Sequence, residues 1–128
     1  MTLNLYTRYL DAGHGGSLGW DDNLKPGAAE LAKVYAAAGS PANVRGFATN
    51  VAGWNAWSSN PGEFENTIDS KYNKCQDEKR FVSRFGAALK AAGFPNKAIV
   101  DTSRNAVIGL RFEVMSFFFY FKKTLIGS

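Results

Sequence analysis

Cysteine and histidine are almost missing from this chain of 128 residues, which holds one of each, Cys75 and His14. A single thiol closes no internal disulfide, and one Cys with one His cannot supply the ligand cluster of a structural zinc. Neither a disulfide scaffold, a metal centre nor another cofactor is therefore expected. Charge is equally unconcentrated. Fifteen basic residues stand against eleven acidic ones for a net charge of +4, yet the longest basic runs are the pairs Lys79-Arg80 and Lys122-Lys123. Nucleic-acid binders gather such charge on one face, so no nucleic-acid partner is expected. The opening "MTLNLYTRYLDAG" lacks a basic region followed by an apolar run of about seven residues, and no signal peptide is expected within this chain. No apolar run approaches the roughly twenty residues of a membrane-spanning helix, which argues against a membrane partner.

What is present is an alternation of strand and helix patterns. "LNLYTRYL" (3–10) reads as a strand that stops at Asp11-Ala12-Gly13. A helix is expected from Pro26 to Gly39 with Leu31, Val34, Tyr35 and Ala38 as its buried stripe. "NVRGFATN" (43–50) reads as a second strand. A long loop with Trp54, Trp57, Pro61 and Gly62 follows, then a helix over about 70–92 whose face carries Cys75, Val82, Phe85 and Leu89. "KAIVDTS" (97–103) is the third strand. Such alternation implies an α/β fold with parallel strands, and in that architecture ligands bind at the carboxyl ends of the strands.

The polar residues fall at those ends: Asp11 and His14 after the first strand, Thr49 and Asn50 after the second, Asp101, Ser103 and Arg104 after the third. Trp20, Trp54 and Trp57 share these loops, and aromatic rings beside hydrogen-bonding groups suit a ligand with apolar faces and many hydroxyls, such as a sugar. Structural readings stand beside the functional ones. Asp11 could instead cap a turn, Asp101 and Arg104 could form an ion pair, and Trp54 and Trp57 could pack the loop. Cys75 reads as an inert core residue, and Asp77, Glu78, Lys79 and Arg80 as a solvated helix face. The glycines Gly13, Gly15, Gly16 and Gly19 lack the spacing of a phosphate-binding loop and are expected to serve the backbone.

"YLDAGHGGSLGW", "VRGFATNVAGWNAW", "YNKCQDEKRFV" and "AIVDTSRNAVIGLR" closely resemble consecutive segments of glycoside hydrolase family 6, in particular fungal cellobiohydrolases, over about residues 6–111. The resemblance implies a partial distorted (β/α) barrel of about three consecutive βα units, and inverting hydrolysis of β-1,4-glucan by a family that acts outside the cell. Inversion needs a proton-donating acid and a route for deprotonating the attacking water. The resemblance places those carboxylates in "EPDSLANL"-, "YDLPDRDC"- and "KPGGExDGTSD"-like segments that this sequence does not contain, so no catalytic residue is assigned here. It assigns substrate binding to His14 and Asn50, an aromatic platform to Trp20 and a rim carboxylate to Asp11. Ser17 departs from the family's usual Trp, a loss of about 1 to 3 kcal/mol by analogy with base stacking on aromatics.

Residues 1–111 are thus expected to form part of a family 6 catalytic domain. Residues 112–128 read as a separate aromatic tail with five of the ten phenylalanines, interpretable as translation into an unspliced intron after Glu113. Three strands of a barrel leave two open edges, and the isolated chain is expected to be weakly stable and prone to aggregate through that tail. The expectation is a cellulase fragment that binds β-1,4-glucan and is inactive alone. The alternatives are a non-catalytic glucan-binding protein and a basic intracellular interaction protein.

Overall fold

A computed structural model of the chain describes residues 6–59 and 68–103. Arg104 and the aromatic tail lie outside the described residues. Three parallel strands, β1 (Arg8–Asp11), β2 (Val44–Thr49) and β3 (Lys97–Val100), form one sheet in the order β1-β2-β3. Between β1 and β2 come a four-residue helix α1 (Gly15–Leu18) and the long α2 (Asp21–Ala37); between β2 and β3 come α3 (Ile68–Tyr72) and α4 (Glu78–Ala91). The architecture is α/β, as the sequence pattern implied.

Burial explains the layering. Phe47 of β2 lies against Phe85 of α4 with ring centroids 5.6 Å apart, edge to face, and Phe81 stacks on Phe85 at 5.0 Å. Leu89, Phe94 and Cys75 close the same cluster from the α4 side, and Leu24, Ala28 and Ala32 close it from α2. Both long helices therefore cover one face of the sheet. Ile99, adjacent in sequence to the core-packed Ala98, remains 49% exposed, as alternation along a strand requires when the opposite face is uncovered.

Several element limits differ from expectation for identifiable reasons. Helix α2 starts at Asp21, five residues before Pro26, with Asp21 and Asp22 in its first turn where acidic side chains favour the helix dipole. Its buried line is consequently Leu24, Ala28 and Ala32, with Leu31 and Tyr35 partly buried, and Val34 is 59% exposed. The single helix expected over 70–92 is broken at 73–77. There Asn73 Oδ1 accepts the Cys75 N–H (2.8 Å) and Asp77 Oδ1 accepts the Arg80 N–H (2.8 Å), capping α4 at its start. Cys75 therefore sits in the connection and not on the helix.

Its chemical role is nevertheless the inert one. Cys75 is fully buried, and burial pushes its thiol pKa up to about 11, which leaves almost no thiolate at neutral pH. A thiol reagent such as DTNB should modify the native chain at under about a hundredth of the rate seen in denaturant, by the thiolate fraction and access alone. Equal rates with and without denaturant would contradict this placement.

Candidate functional site

The connection from β1 to α2 is built as a sequence of local hydrogen bonds. Asp11 Oδ1 accepts the Gly13 N–H at 2.8 Å, so the exposed Asp11 makes the turn that the structural reading proposed. His14 follows as the N-cap of α1. Its Nδ1 accepts the Gly16 N–H at 3.0 Å, and Ser17 Oγ donates to the His14 carbonyl at 2.9 Å. Because Nδ1 is an acceptor here, the neutral ring carries its proton on Nε2. Trp20 Nε1 donates to the Gly16 carbonyl at 2.9 Å, holding the half-buried indole over the same short helix. Asp11, His14, Ser17 and Trp20 are thereby fixed on one connection at the carboxyl edge of the sheet.

The second strand's end supports them from beneath. Asn50, in left-handed backbone at φ 63°, donates its N–H to the Gly13 carbonyl at 2.9 Å. Its side chain bridges the main chain of Asn55: Nδ2 donates to the Asn55 carbonyl (2.8 Å) and Oδ1 accepts the Asn55 N–H (3.0 Å). With no exposed surface, Asn50 shapes the 51–55 loop rather than facing the rim. That loop brings Gly53 against the His14 ring, where a Cβ would land on Cδ2 and Nε2. Only glycine fits there without moving the imidazole.

A buried carboxyl that the sequence reading placed on a solvated face proves central. Glu78, with no exposed surface, accepts the Gly15 N–H at 2.6 Å and Asn55 Nδ2 at 3.2 Å, both through Oε1. Burial raises its pKa above the ordinary glutamate value, opposed by the hydrogen bonds from the Gly15 N–H and Asn55. Asp77 is likewise buried, accepting from Ser59 and Arg80. In helical register Glu78 belongs to the apolar stripe of Phe81, Val82, Phe85 and Leu89, so the signal was present, hidden by its charged neighbours. Gly15 is gripped at both ends, since its carbonyl accepts Asn73 Nδ2 at 2.8 Å. A Cβ on Gly15 would come within 2.5 Å of the Cys75 carbonyl.

The third strand contributes less. The Asp101 N–H donates to the Thr49 carbonyl, and Asp101 Oδ1 accepts from Ser103 through both N–H (2.9 Å) and Oγ (2.6 Å). The expected Asp101–Arg104 pair involves a residue outside the described ones. Trp57 is 40% exposed and Trp54 half-buried. Among the described residues no group of three or more His, Cys, Asp or Glu side chains is placed to hold a metal.

The family model for glycosyl hydrolases family 6 matches residues 1–117. The chain belongs to that family. A 1,4-beta-D-glucan cellobiohydrolase of Podospora anserina is 67% identical over 114 residues, covering 88% of this chain and 29% of that protein. A probable 1,4-beta-D-glucan cellobiohydrolase of Aspergillus fumigatus is 52% identical over 99 residues, covering 77% and 21%. Among solved structures, cellobiohydrolase II from Humicola insolens in complex with glucose and cellotetraose superposes with a TM-score of 0.69 at 46% identity, covering 80% of this chain and 27% of that one. A glycoside hydrolase family 6 enzyme from Coprinopsis cinerea gives a TM-score of 0.73 at 33% identity, covering 88% and 30%. The family 6 chain described here thus spans under a third of the length of these relatives. Its three-stranded sheet corresponds to part of their catalytic fold.

Proposed function

We propose that this family 6 chain supplies a sugar-binding rim of a β-1,4-glucan hydrolase of the cellobiohydrolase type, and not its acid–base pair. The observation that carries the reading is the β1–α2 connection, which holds Asp11, His14, Ser17 and the Trp20 indole together at the carboxyl edge of a parallel sheet. A ring face beside several hydrogen-bonding groups is what a pyranose requires. His14 and Trp20 contact the glucan directly in this account, and Asp11 and Ser17 flank them. Asn50 acts through the loop it holds. The likeness to cellobiohydrolases, one of them solved with cellotetraose, supports β-1,4-glucan as the ligand. Proton donor and base come from segments that this sequence does not contain, and the parent enzyme works outside the cell with inversion.

Amorphous cellulose tests the reading with the 128-residue chain itself. The chain should sediment with cellulose and stay in solution without it, and Trp20→Ala should weaken the affinity about tenfold, the scale of one lost stacking contact. No soluble cellobiose should appear. Failure to sediment would remove the glucan-binding assignment in favour of an interaction protein. Cellobiose release that disappears in His14→Ala would show that the chain carries chemistry of its own.

A further inference from the structure

The geometry points to Glu78 as a positioning residue for the sugar-binding rim: its buried carboxyl ties the His14 turn to the loop behind it. Oε1 accepts the N–H of Gly15, the residue that follows His14, and the Nδ2 of Asn55, whose main chain is in turn held by Asn50. One oxygen therefore joins three segments: the start of α4, the β1–α2 connection and the loop after β2. The inference rests on the glucan-rim reading above for its functional meaning.

Glu78 itself stands outside the rim and has no exposed surface. Its hydrogen bonds run to the Gly15 N–H and to Asn55, so its action on sugar is indirect, through the placement of Gly15. Two further observations make the arrangement specific. Glu78 Oε2 and Thr49 Oγ1 are buried without a hydrogen-bond partner at good geometry. The carboxyl's desolvation is thus offset through Oε1 alone, by the Gly15 N–H and Asn55 Nδ2, and the first of these fixes the peptide after His14. Gly15 cannot exchange this contact for a side chain, because a Cβ there would meet the Cys75 carbonyl, Asn55 Nδ2 and Glu78 Oε1.

The charged and titratable groups around the carboxyl are few. Asp77, the N-cap of α4, acts on it as a like charge; Lys79 and Arg80 follow it at the start of α4, Asp11 and His14 lie on the β1–α2 connection, and Cys75 lies in the turn before Asp77. Gln at position 78 keeps an accepting oxygen of the same size, whereas Ala leaves the Gly15 N–H and Asn55 Nδ2 without their acceptor. The two variants should therefore separate hydrogen-bonded positioning from mere filling of space.

The test uses the uniformly labelled chain, cellotetraose as probe, and two NMR readouts. In the unsubstituted protein the Gly15 amide proton shift should follow the titration of the Glu78 side-chain carboxyl carbon, and Glu78→Gln should abolish that dependence. Glu78→Gln should keep the His14 ring nitrogens in the Nε2–H pattern and cellotetraose affinity within about threefold. Glu78→Ala should lose the pattern and weaken cellotetraose about tenfold, because the peptide that orients His14 loses its acceptor. A Gly15 amide that is flat across the Glu78 titration, or at its unstructured position, overturns the proposal even if Glu78→Ala does not fold. So does a folded Glu78→Ala with unchanged His14 signals. Absence of cellotetraose binding in the unsubstituted chain with the Gly15 coupling intact would instead refute the glucan reading and leave the positioning role standing.

Discussion

Gly46→Val should leave the chain without its parallel sheet, although the substitution adds a strand-favouring residue at a strand position. Gly46 pairs with Lys97 of β3, and a Cβ there would fall on the Lys97 carbonyl oxygen and within 2.9 Å of its nitrogen. The close approach has a visible cause. The register of β1 against β2 steps from Arg8↔Val44 to Tyr9↔Gly46, so Arg45 is an extra residue that bends β2 into its neighbour. Main chain cannot yield as a side-chain tip can, and the cost should be about 3 kcal/mol or more. Since small domains hold only about 5 to 15 kcal/mol in total, and this one has unpaired strand edges, little folded population should remain. The dispersion of amide resonances would report it directly. Arg45→Val, at the exposed neighbouring site, is the control that should keep the sheet, and a Gly46→Val chain with unchanged dispersion would refute the packing described.

Phe85→Ala should have a comparable effect by a different route. Phe85 is fully buried and is the ring shared by Phe47 of the sheet and Phe81 of its own helix. Removing it deletes both aromatic contacts and leaves a cavity between sheet and α4, a loss of about 4 kcal/mol for a large-to-small core change. Urea unfolding followed by far-ultraviolet circular dichroism should show the transition shifted to the lowest concentrations or lost. Val82→Ala, on the edge of the same cluster, should cost about 1 kcal/mol or less. Equal midpoints for the two variants would mean that the core does not centre on Phe85.

How far the sequence could be read depended on which interactions were local. Strand β2, the order of elements and the α/β class follow from the alternation of apolar runs with helical stripes, and the resemblance adds the partial barrel. The stripe of α2 is half legible: Leu31 and Tyr35 pack against the core, but Pro26 resembles a first-turn residue and the buried line runs through Leu24, Ala28 and Ala32, two of them small side chains that carry little hydrophobic signal. The break between α3 and α4 depends on side-chain caps from Asn73 and Asp77, which compete with the helical pattern only once the tertiary contacts around Cys75 exist. At the site, the Asp11 turn and the His14 cap are interactions within a few residues and were partly legible. The Glu78–Gly15 bond spans 63 positions in the chain, and nothing in a run of four charged residues says which one turns inward.

These placements converge on the rim. The bulge at Gly46 and the Phe47–Phe85 contact fix the sheet, the sheet's carboxyl edge presents the β1–α2 connection, and Glu78 with Asn50 holds that connection to its neighbour. Each layer sets the geometry of the next.

The most direct measurement of the central claim is a cellotetraose titration of the labelled chain followed at the Trp20 indole N–H and the His14 ring. The account predicts saturable shifts at both, with Gly13 and Ser17 amides moving with them and the Lys33 and Lys90 amides unmoved. Cellotetraose added to saturation with no change at Trp20 or His14, while the amide spectrum remains that of a folded sheet, would contradict it.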